Sequence, residues 1–91
     1  MVIEERDFRL TPINDSSPVF DLELLYTVNP KGKDPRQEFK IAAYGISLSH
    51  AIKKIAQYRV NRRHKEEVIN LLTYFKEFKE ELDSLRGLCE I

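Results

Sequence analysis

The chain has 91 residues, of which 42% are hydrophobic and 33% are charged, and its formal net charge at pH 7 is zero. This length fits one domain with a thin core, and an aromatic content of 10% without net charge argues against disorder. The pI of about 6.7 lies below the values above about 9 that are typical of dedicated nucleic-acid-binding domains.

Signals for a cellular compartment are few. Cys89 is the only cysteine, which excludes an intramolecular disulfide and favours a reducing compartment. The opening MVIEERDF lacks the basic head and apolar run of a signal peptide. No window reaches the ~18 apolar residues of a membrane helix. We therefore expect a cytoplasmic protein that has no membrane association.

The first half of the chain, about residues 5–44, alternates apolar and polar residues with the period of β-strands. DFRLTPI is one such run, and VFDLELLYTV is the clearest, with only Leu25 out of phase. After the loop NPKGKDP the alternation resumes in RQEFKIAAYG, with Phe39, Ile41 and Ala43 on one side. The short loop predicts an antiparallel hairpin, whose tip is either solvated or a contact loop for a partner.

Two helices are predicted after Gly45, over about residues 47–59 and 62–86. The first begins at Ser47, a good N-cap residue, and Val60 and Asn61 interrupt its apolar pattern. The second is long and heptad-patterned, because apolar residues recur at alternating spacings of 3 and 4. These residues are Val68, Leu71, Phe75, Phe78, Leu82 and Leu85.

The apolar stripe of the second helix is wide at first, where Ile69 and Leu72 join it, and narrow later. A wide stripe suits packing on a core and a narrow one suits another helix. We therefore expect the first half to cover the protein's own core and the second half to meet a partner, with Gly87 ending the helix. The predicted seam of a homodimer consists of Phe75, Phe78, Leu82 and Leu85, and packing on the first helix is the alternative.

These elements predict a single α+β domain over residues 1–91: a small antiparallel sheet of two to three strands followed by two helices. Its charge is segregated along the chain. Residues 39–65 carry seven basic side chains and no acidic one, whereas the stretches on both sides are acidic. The basic segment, residues 53–65, holds the candidate binding residues, which are Lys53, Lys54, Tyr58, Arg59, Arg62, Arg63 and Lys65.

Three interpretations of the basic segment stay open. Its side chains could bind nucleic-acid phosphates, or they could bind an acidic protein. They could also form a solvated face that pairs with the chain's own carboxylates. In that case Arg62 with Glu66, and Arg63 with Glu67, have the i,i+4 spacing of helical ion pairs.

Catalytic and metal-binding patterns are absent from the sequence. It contains only two histidines, His50 and His64, and no nucleophile, zinc or phosphate-loop motif. We expect His50 to face solvent, and the arginines around His64 to disfavour its protonation and metal binding. The sequence thus predicts no enzyme, no metal and no cofactor.

The run VNPKGKDPRQEFKIAAYGISLSHAIKKI resembles small accessory proteins of phages and prophages of Gram-positive bacteria. Those proteins also carry a hairpin with a lysine–glycine tip, an aromatic–glycine dipeptide (here Tyr44–Gly45) and a helix opening Leu-x-x-Ala-(Leu/Ile), here Leu48 to Ile52. The similarity covers about residues 20–85, and it departs at the third strand, where this chain lacks the tryptophan that such proteins often have. The resemblance implies a small, cytoplasmic, non-enzymatic protein.

The expected function is therefore a protein–protein interaction or regulatory module, a phage or prophage accessory protein that binds a host or phage protein. The expected partner is another protein, itself, or both, with a homodimer through the last helix. The alternative is a nucleic-acid-binding module that uses the basic segment 53–65.

Overall fold

The computed structural model describes residues 1–28, 31–32 and 34–89, with side chains through Gly87. The chain divides into two compact units, Met1–Leu48 and the part from Ser49 onward. The first unit holds the sheet, and the second holds all but the first residue of the helices. The prediction of a single domain stays a prediction.

The first unit is a four-stranded antiparallel sheet in the order β1-β2-β3-β4. Its strands are β1 (Ile3–Glu4), β2 (Phe8–Pro12), β3 (Val19–Val28) and β4 (Arg36–Ser47). The α+β class is confirmed, as is the antiparallel pairing of the two long strands. The strand count is four rather than two to three, because the two-residue β1 is too short to show alternation. The predicted hairpin tip includes Asn29, Pro30 and Lys33, which lie outside the described residues.

The sheet has one apolar face and one face that carries charge. The apolar face buries Phe8 and Leu10 from β2 and Leu22 and Leu24 from β3. On the other face the register aligns Glu4 with Arg9 and Arg9 with Glu23. The Arg9 guanidinium lies 2.7 Å from Glu4 and 3.1 Å from Glu23, and its Cζ is 4.3 Å from the centre of the Phe39 ring. Cross-strand ion pairs of this kind favour one register.

Two irregularities in β4 change which of its residues share a face. Leu22 pairs with Ala43, but the next residue, Glu23, pairs with Ile41. The residue between them is a bulge that inverts the alternation. The prediction that Ile41 and Ala43 lie on one side is therefore wrong: Ala43 pairs on the apolar face and Ile41 on the charged face. Period-2 patterns cannot reveal an inserted residue.

The second irregularity contains Gly45, whose φ of 58° is in the left-handed region. Its N–H donates to Asp21 Oδ1 at 3.0 Å. A Cβ at this position would lie 3.3 Å from Ile13 Cδ1. We expect Gly45→Ala to lower the free energy of unfolding by about 1–2 kcal/mol, since L residues are strained there.

Gly87 supplies the matched control for that substitution, measured by urea unfolding. It lies within the last helix, and a Cβ there would meet nothing within 4 Å. Gly87→Ala should therefore raise stability by about 0.5 kcal/mol through the helix preference of alanine. Equal effects of the two substitutions would contradict the account of Gly45.

The first helix, α1, spans Leu48–Arg63. It is longer than the predicted 47–59, because Val60 continues the apolar stripe instead of interrupting it. The fully buried residues of α1 are Ala51, Ile55, Ala56 and Val60, whose spacing of 4, 1 and 4 follows one helix face. The His64 N–H extends the hydrogen bonding by donating to the Val60 carbonyl at 3.2 Å.

The second helix, α2, spans Leu71–Cys89 and so begins nine residues later than the predicted Arg62. Asn70 is its N-cap: the Asn70 Oδ1 accepts from the Thr73 N–H at 2.8 Å, and its carbonyl accepts from the Tyr74 N–H. The Asn70 cap was the missed signal. Gly87 does not end the helix. The heptad register stays a prediction.

Burial along α2 runs opposite to the expectation. Leu85, expected at the dimer seam, is only 3% exposed, and Phe78 and Leu82 are partly buried. Near the start of the helix, Leu72 is 80% exposed and Phe75 is 57% exposed. The half expected to cover the core is therefore the half that meets solvent. Across the described residues, no helix is long and apolar enough to cross a membrane.

Candidate functional site

Six charged side chains meet between the end of α1 and the middle of α2, and we call them the charged cluster. They are Arg59, Arg63, His64, Glu67, Glu77 and Glu81. All belong to the second compact unit. The cluster contains as many carboxylates as basic groups, so with His64 protonated its net charge is zero.

Arg59 and Arg63 point toward α2 because they extend the buried stripe of α1. Ile55, Arg59 and Arg63 are spaced four residues apart and so share one helix face. Arg63 Nη1 donates to Glu77 Oε1 at 2.8 Å, and Arg63 Nη2 donates to Glu81 Oε1. Arg59 Nη1 lies 3.4 Å from the second oxygen of Glu81.

The glutamates that pair with Arg63 were not the expected ones. The sequence predicted Arg63 with Glu67, but Arg63 bonds to carboxylates 14 and 18 positions further along. The i,i+4 argument required a continuous helix, and α1 ends at Arg63. Arg63 therefore pairs with carboxylates of its own chain, as one interpretation expected, but these carboxylates belong to α2.

His64 lies between two carboxylates. Its Nδ1 is 2.8 Å from Glu67 Oε2, and its Nε2 is 2.6 Å from Glu77 Oε2. Ionised carboxylates only accept hydrogen bonds, so both ring nitrogens donate when the ring is an imidazolium. The hydrogen bonds to Glu67 and then Glu77 raise the pKa of His64 above its ordinary value of 6.5.

That result corrects the expectation for His64. Its neighbours in sequence are arginines, but its neighbours in space are glutamates, so its protonation is favoured. The hydrogen bond from Arg63 is the largest effect on Glu77 and lowers its pKa below 4.5; desolvation opposes it, and the hydrogen bond from His64 lowers the pKa further. The pKa of Arg63 is raised by Glu77 and Glu81.

The cluster predicts a pH dependence with a definite sign. Because the pKa of His64 is raised on folding, its stabilising contribution is complete below 6.5 and is lost as the pH rises through the folded-state pKa. We expect the melting temperature to fall over that window. Glu77 has the opposite pH dependence. Because its pKa is lowered on folding, its contribution to stability is present above 4.5 and is lost as the pH falls through the lowered pKa.

Thermal unfolding of the native chain and of His64→Gln in a pH series measures this effect. The variant cannot acquire the proton, so the decline above about pH 6.5 should flatten in it. NMR titration of the His64 ring should report a midpoint above 6.5 in the native chain. A native melting temperature that rises across this window would contradict the assignment.

The other predicted binding residues do not join the cluster. Lys53 and Lys65 are exposed, and Lys54 is partly buried. Arg62 Nη1 donates to the Tyr58 hydroxyl at 2.7 Å, with the guanidinium 5.8 Å from the ring centre. The basic segment therefore divides into two groups. Arg59 and Arg63 pair with glutamates of α2, whereas its other candidate residues lie on α1 or just after it and take no part in the cluster.

A neutral contact reinforces the same pair of helices. The Tyr74 hydroxyl donates to Asn61 Oδ1 at 2.9 Å, and the rings of Tyr74 and Phe78 stack with centres 6.5 Å apart. Sequence reasoning missed both, although Tyr74 lies one turn before Phe78. The Tyr74–Asn61 hydrogen bond therefore joins α1 to α2 alongside the charged cluster, whereas the stacked rings both belong to α2.

A second feature is a set of exposed apolar side chains around the start of α2, which we call the exposed apolar face. It consists of Val68, Leu71, Leu72 and Phe75, which are 102%, 69%, 80% and 57% exposed. The sequence singled out each residue but assigned most of them to the core. Large contiguous apolar patches are uncommon on monomeric proteins and mark sites of association.

Comparisons of this chain with protein families, with curated proteins and with solved structures found no match. Within residues 1–28, 31–32 and 34–89, no group of three or more His, Cys, Asp or Glu side chains is placed to hold a metal ion. The charged cluster and the exposed apolar face are the candidate functional features of the described residues.

Proposed function

We propose that the protein is a non-enzymatic protein–protein interaction or regulatory module. The observation that carries this proposal is the exposed apolar face. Leaving large apolar side chains in water forgoes roughly 25 cal/mol per Å² of burial, which a bound protein would recover. A phenylalanine among side chains that carry no charge is also typical of the centre of a protein interface.

The charged cluster supports this role by fixing the surface that carries the face. Arg63 reaches Glu77, which lies two residues after Phe75 on α2. Interfaces bind with less loss of entropy when their helices are already held in place. On this view the cluster positions the helix, and the exposed apolar face meets the partner.

The proposal includes an origin in a phage or prophage, where the protein would bind a host or phage protein in the cytoplasm. Its support is the resemblance of residues 20–85 to small phage accessory proteins. The genes on either side provide a direct check. We expect phage early genes or lysogeny genes on either side. Unrelated metabolic genes there would contradict the proposed phage or prophage origin.

Site-specific photocrosslinking in the native host tests the interaction role. A photoreactive amino acid at Leu72 should crosslink to a defined polypeptide, and the same probe at Ser84, an exposed position of α2, should not. The purified polypeptide should then bind the native chain and bind Leu72→Asp at least roughly tenfold more weakly. Crosslinks that are equal at both positions would overturn the proposal.

Nucleic-acid binding by the basic segment is the second candidate function. The exposure of Lys53, Arg62 and Lys65 favours it, because exposed cations can contact phosphates directly. The pairing of Arg59 and Arg63 with carboxylates weighs against it. A measurable decrease in binding to duplex DNA at low salt after Lys53→Ala, Arg62→Ala and Lys65→Ala would favour this candidate.

A further inference from the structure

We propose that His64 is a pH-operated clip: its protonated ring holds the connector, residues 65–69, to α2, and its neutral ring releases the connector by letting go of Glu67. The connector lies between His64, one residue after α1, and Asn70, the N-cap of α2. The release is a local opening rather than global unfolding, and it does not depend on the proposed interaction role.

Glu67 holds the connector with two hydrogen bonds to the same residue. Its N–H donates to the His64 carbonyl at 3.1 Å, which closes a turn, and its Oε2 lies 2.8 Å from His64 Nδ1. The other ring nitrogen, Nε2, lies 2.6 Å from Glu77 Oε2 on α2. The imidazole therefore bridges the connector and α2, so the position of Glu67 depends on the protonation of the ring.

Only the protonated ring can make both bridges. Ionised carboxylates offer acceptors alone, and a neutral imidazole has a single N–H to donate. When one ring proton leaves for solvent, one of the two carboxylates is left facing a nitrogen lone pair at 2.6 or 2.8 Å. Two lone pairs at that distance repel each other, so that contact must open.

Glu67 is the carboxylate that leaves. Its side chain is 63% exposed, whereas that of Glu77 is 19% exposed. Water can replace the bond that Glu67 loses, but a shielded Glu77 oxygen left without a donor is costly. Arg63 also fixes Glu77, because its Nη1 donates to the other oxygen of that carboxylate at 2.8 Å. We therefore expect the neutral ring to keep its proton on Nε2, facing Glu77.

Charged groups reach the His64 ring from each element around it, and those in direct contact are negative. The connector supplies Glu67 and α2 supplies Glu77. Hydrogen bonds to Glu67 and then Glu77 raise the pKa of His64 above 6.5, so the release should occur as the pH rises through that raised value. The other charges of these elements are Arg63, which pairs with Glu77 and Glu81, and the exposed Lys65 and Glu66 of the connector.

The two helices remain joined when the connector opens. The arginines of the charged cluster bond to Glu77 and Glu81, and the Tyr74 hydroxyl donates to Asn61 Oδ1 at 2.9 Å. None of these contacts uses a ring proton of His64. The opening is therefore confined to the connector.

NMR of the native chain, from below to well above the His64 midpoint, tests each step. The ring nitrogen shifts should identify the neutral form as Nε2–H. Order parameters measured at Cα for residues 65–69 should fall with the same midpoint from about 0.85 toward about 0.6, while those of residues 72–81 stay at about 0.85. A neutral form with Nδ1–H, a connector whose order does not change, or an equal loss of order in α2 would each overturn the clip.

Glu67→Gln separates the clip from general effects of pH. A glutamine amide can accept from Nδ1–H or donate to the bare Nδ1, so the connector should stay ordered on both sides of a lowered midpoint. Glu66→Gln is the matched control, because it removes the same charge from the adjacent exposed glutamate, which lies outside the charged cluster. It should open like the native chain, and the same pH dependence of order in both variants would refute the role of Glu67.

Discussion

Truncating Leu22 to alanine is expected to lower the free energy of unfolding by about 3 kcal/mol. Leu22 is completely buried on β3, an interior strand, and its register partners are Leu10 and Ala43. Removing buried methyl groups costs their transfer free energy and leaves a cavity, and measured values for Leu→Ala run from about 2 to 5 kcal/mol. Small domains have a total stability of only about 5–15 kcal/mol.

Urea unfolding followed by circular dichroism measures the change. Thr27→Ala is the matched control because Thr27 is exposed on the same strand, so only strand preference is lost and the cost should stay below about 1 kcal/mol. A Leu22→Ala chain as stable as Thr27→Ala would mean that Leu22 does not belong to the core.

Much of the sheet could be predicted because alternation reports burial directly. The run from Val19 to Val28 matches β3 at both ends, and its alternate leucines, Leu22 and Leu24, are buried. The bulge between Ala43 and Ile41 could not be foreseen, because an extra residue leaves the local composition unchanged. It is visible only in the pairing with β3.

The helix boundaries were less predictable because capping competes with periodicity. Val68 continues the heptad spacing backward from Leu71, yet the Asn70 side chain caps the N–H of Thr73 and starts the helix after Val68. Asparagine is a favoured N-cap residue, so this signal was present in the sequence. The apolar spacing outweighed it in the prediction.

The candidate site shows why charge patterns along a chain mislead. Arg63 and His64 belong to a basic run, but both contact Glu77, which lies 14 and 13 positions further on. Ile55, Arg59 and Arg63 are spaced four residues apart and share the apolar side of α1, but the predicted helices, 47–59 and 62–86, placed Arg63 in the second one. Helical spacing predicts the direction of Arg63 only once α1 is known to reach that residue, and it cannot name the glutamates of another helix.

Releasing these arginines is expected to produce nucleic-acid binding that the native chain lacks or shows only weakly. Glu77→Gln with Glu81→Gln removes the carboxylates that engage Arg59 and Arg63. Each arginine that then reaches a phosphate displaces a counterion, which steepens the salt dependence of log K by about 0.9. At ~50 mM salt that corresponds to roughly tenfold tighter binding to duplex DNA for each contact.

Fluorescence anisotropy with duplex DNA across a salt series measures affinity and slope together. Glu66→Gln with Glu80→Gln is the matched control, because it makes the same change in net charge at exposed glutamates outside the charged cluster. Since the control leaves the arginines paired, its affinity should rise much less and its slope should stay near the native value. Equal gains in both double variants would attribute the effect to net charge alone. A native chain that already binds tightly, and loses binding on Arg59→Ala with Arg63→Ala, would show that the arginines reach phosphate despite their glutamates.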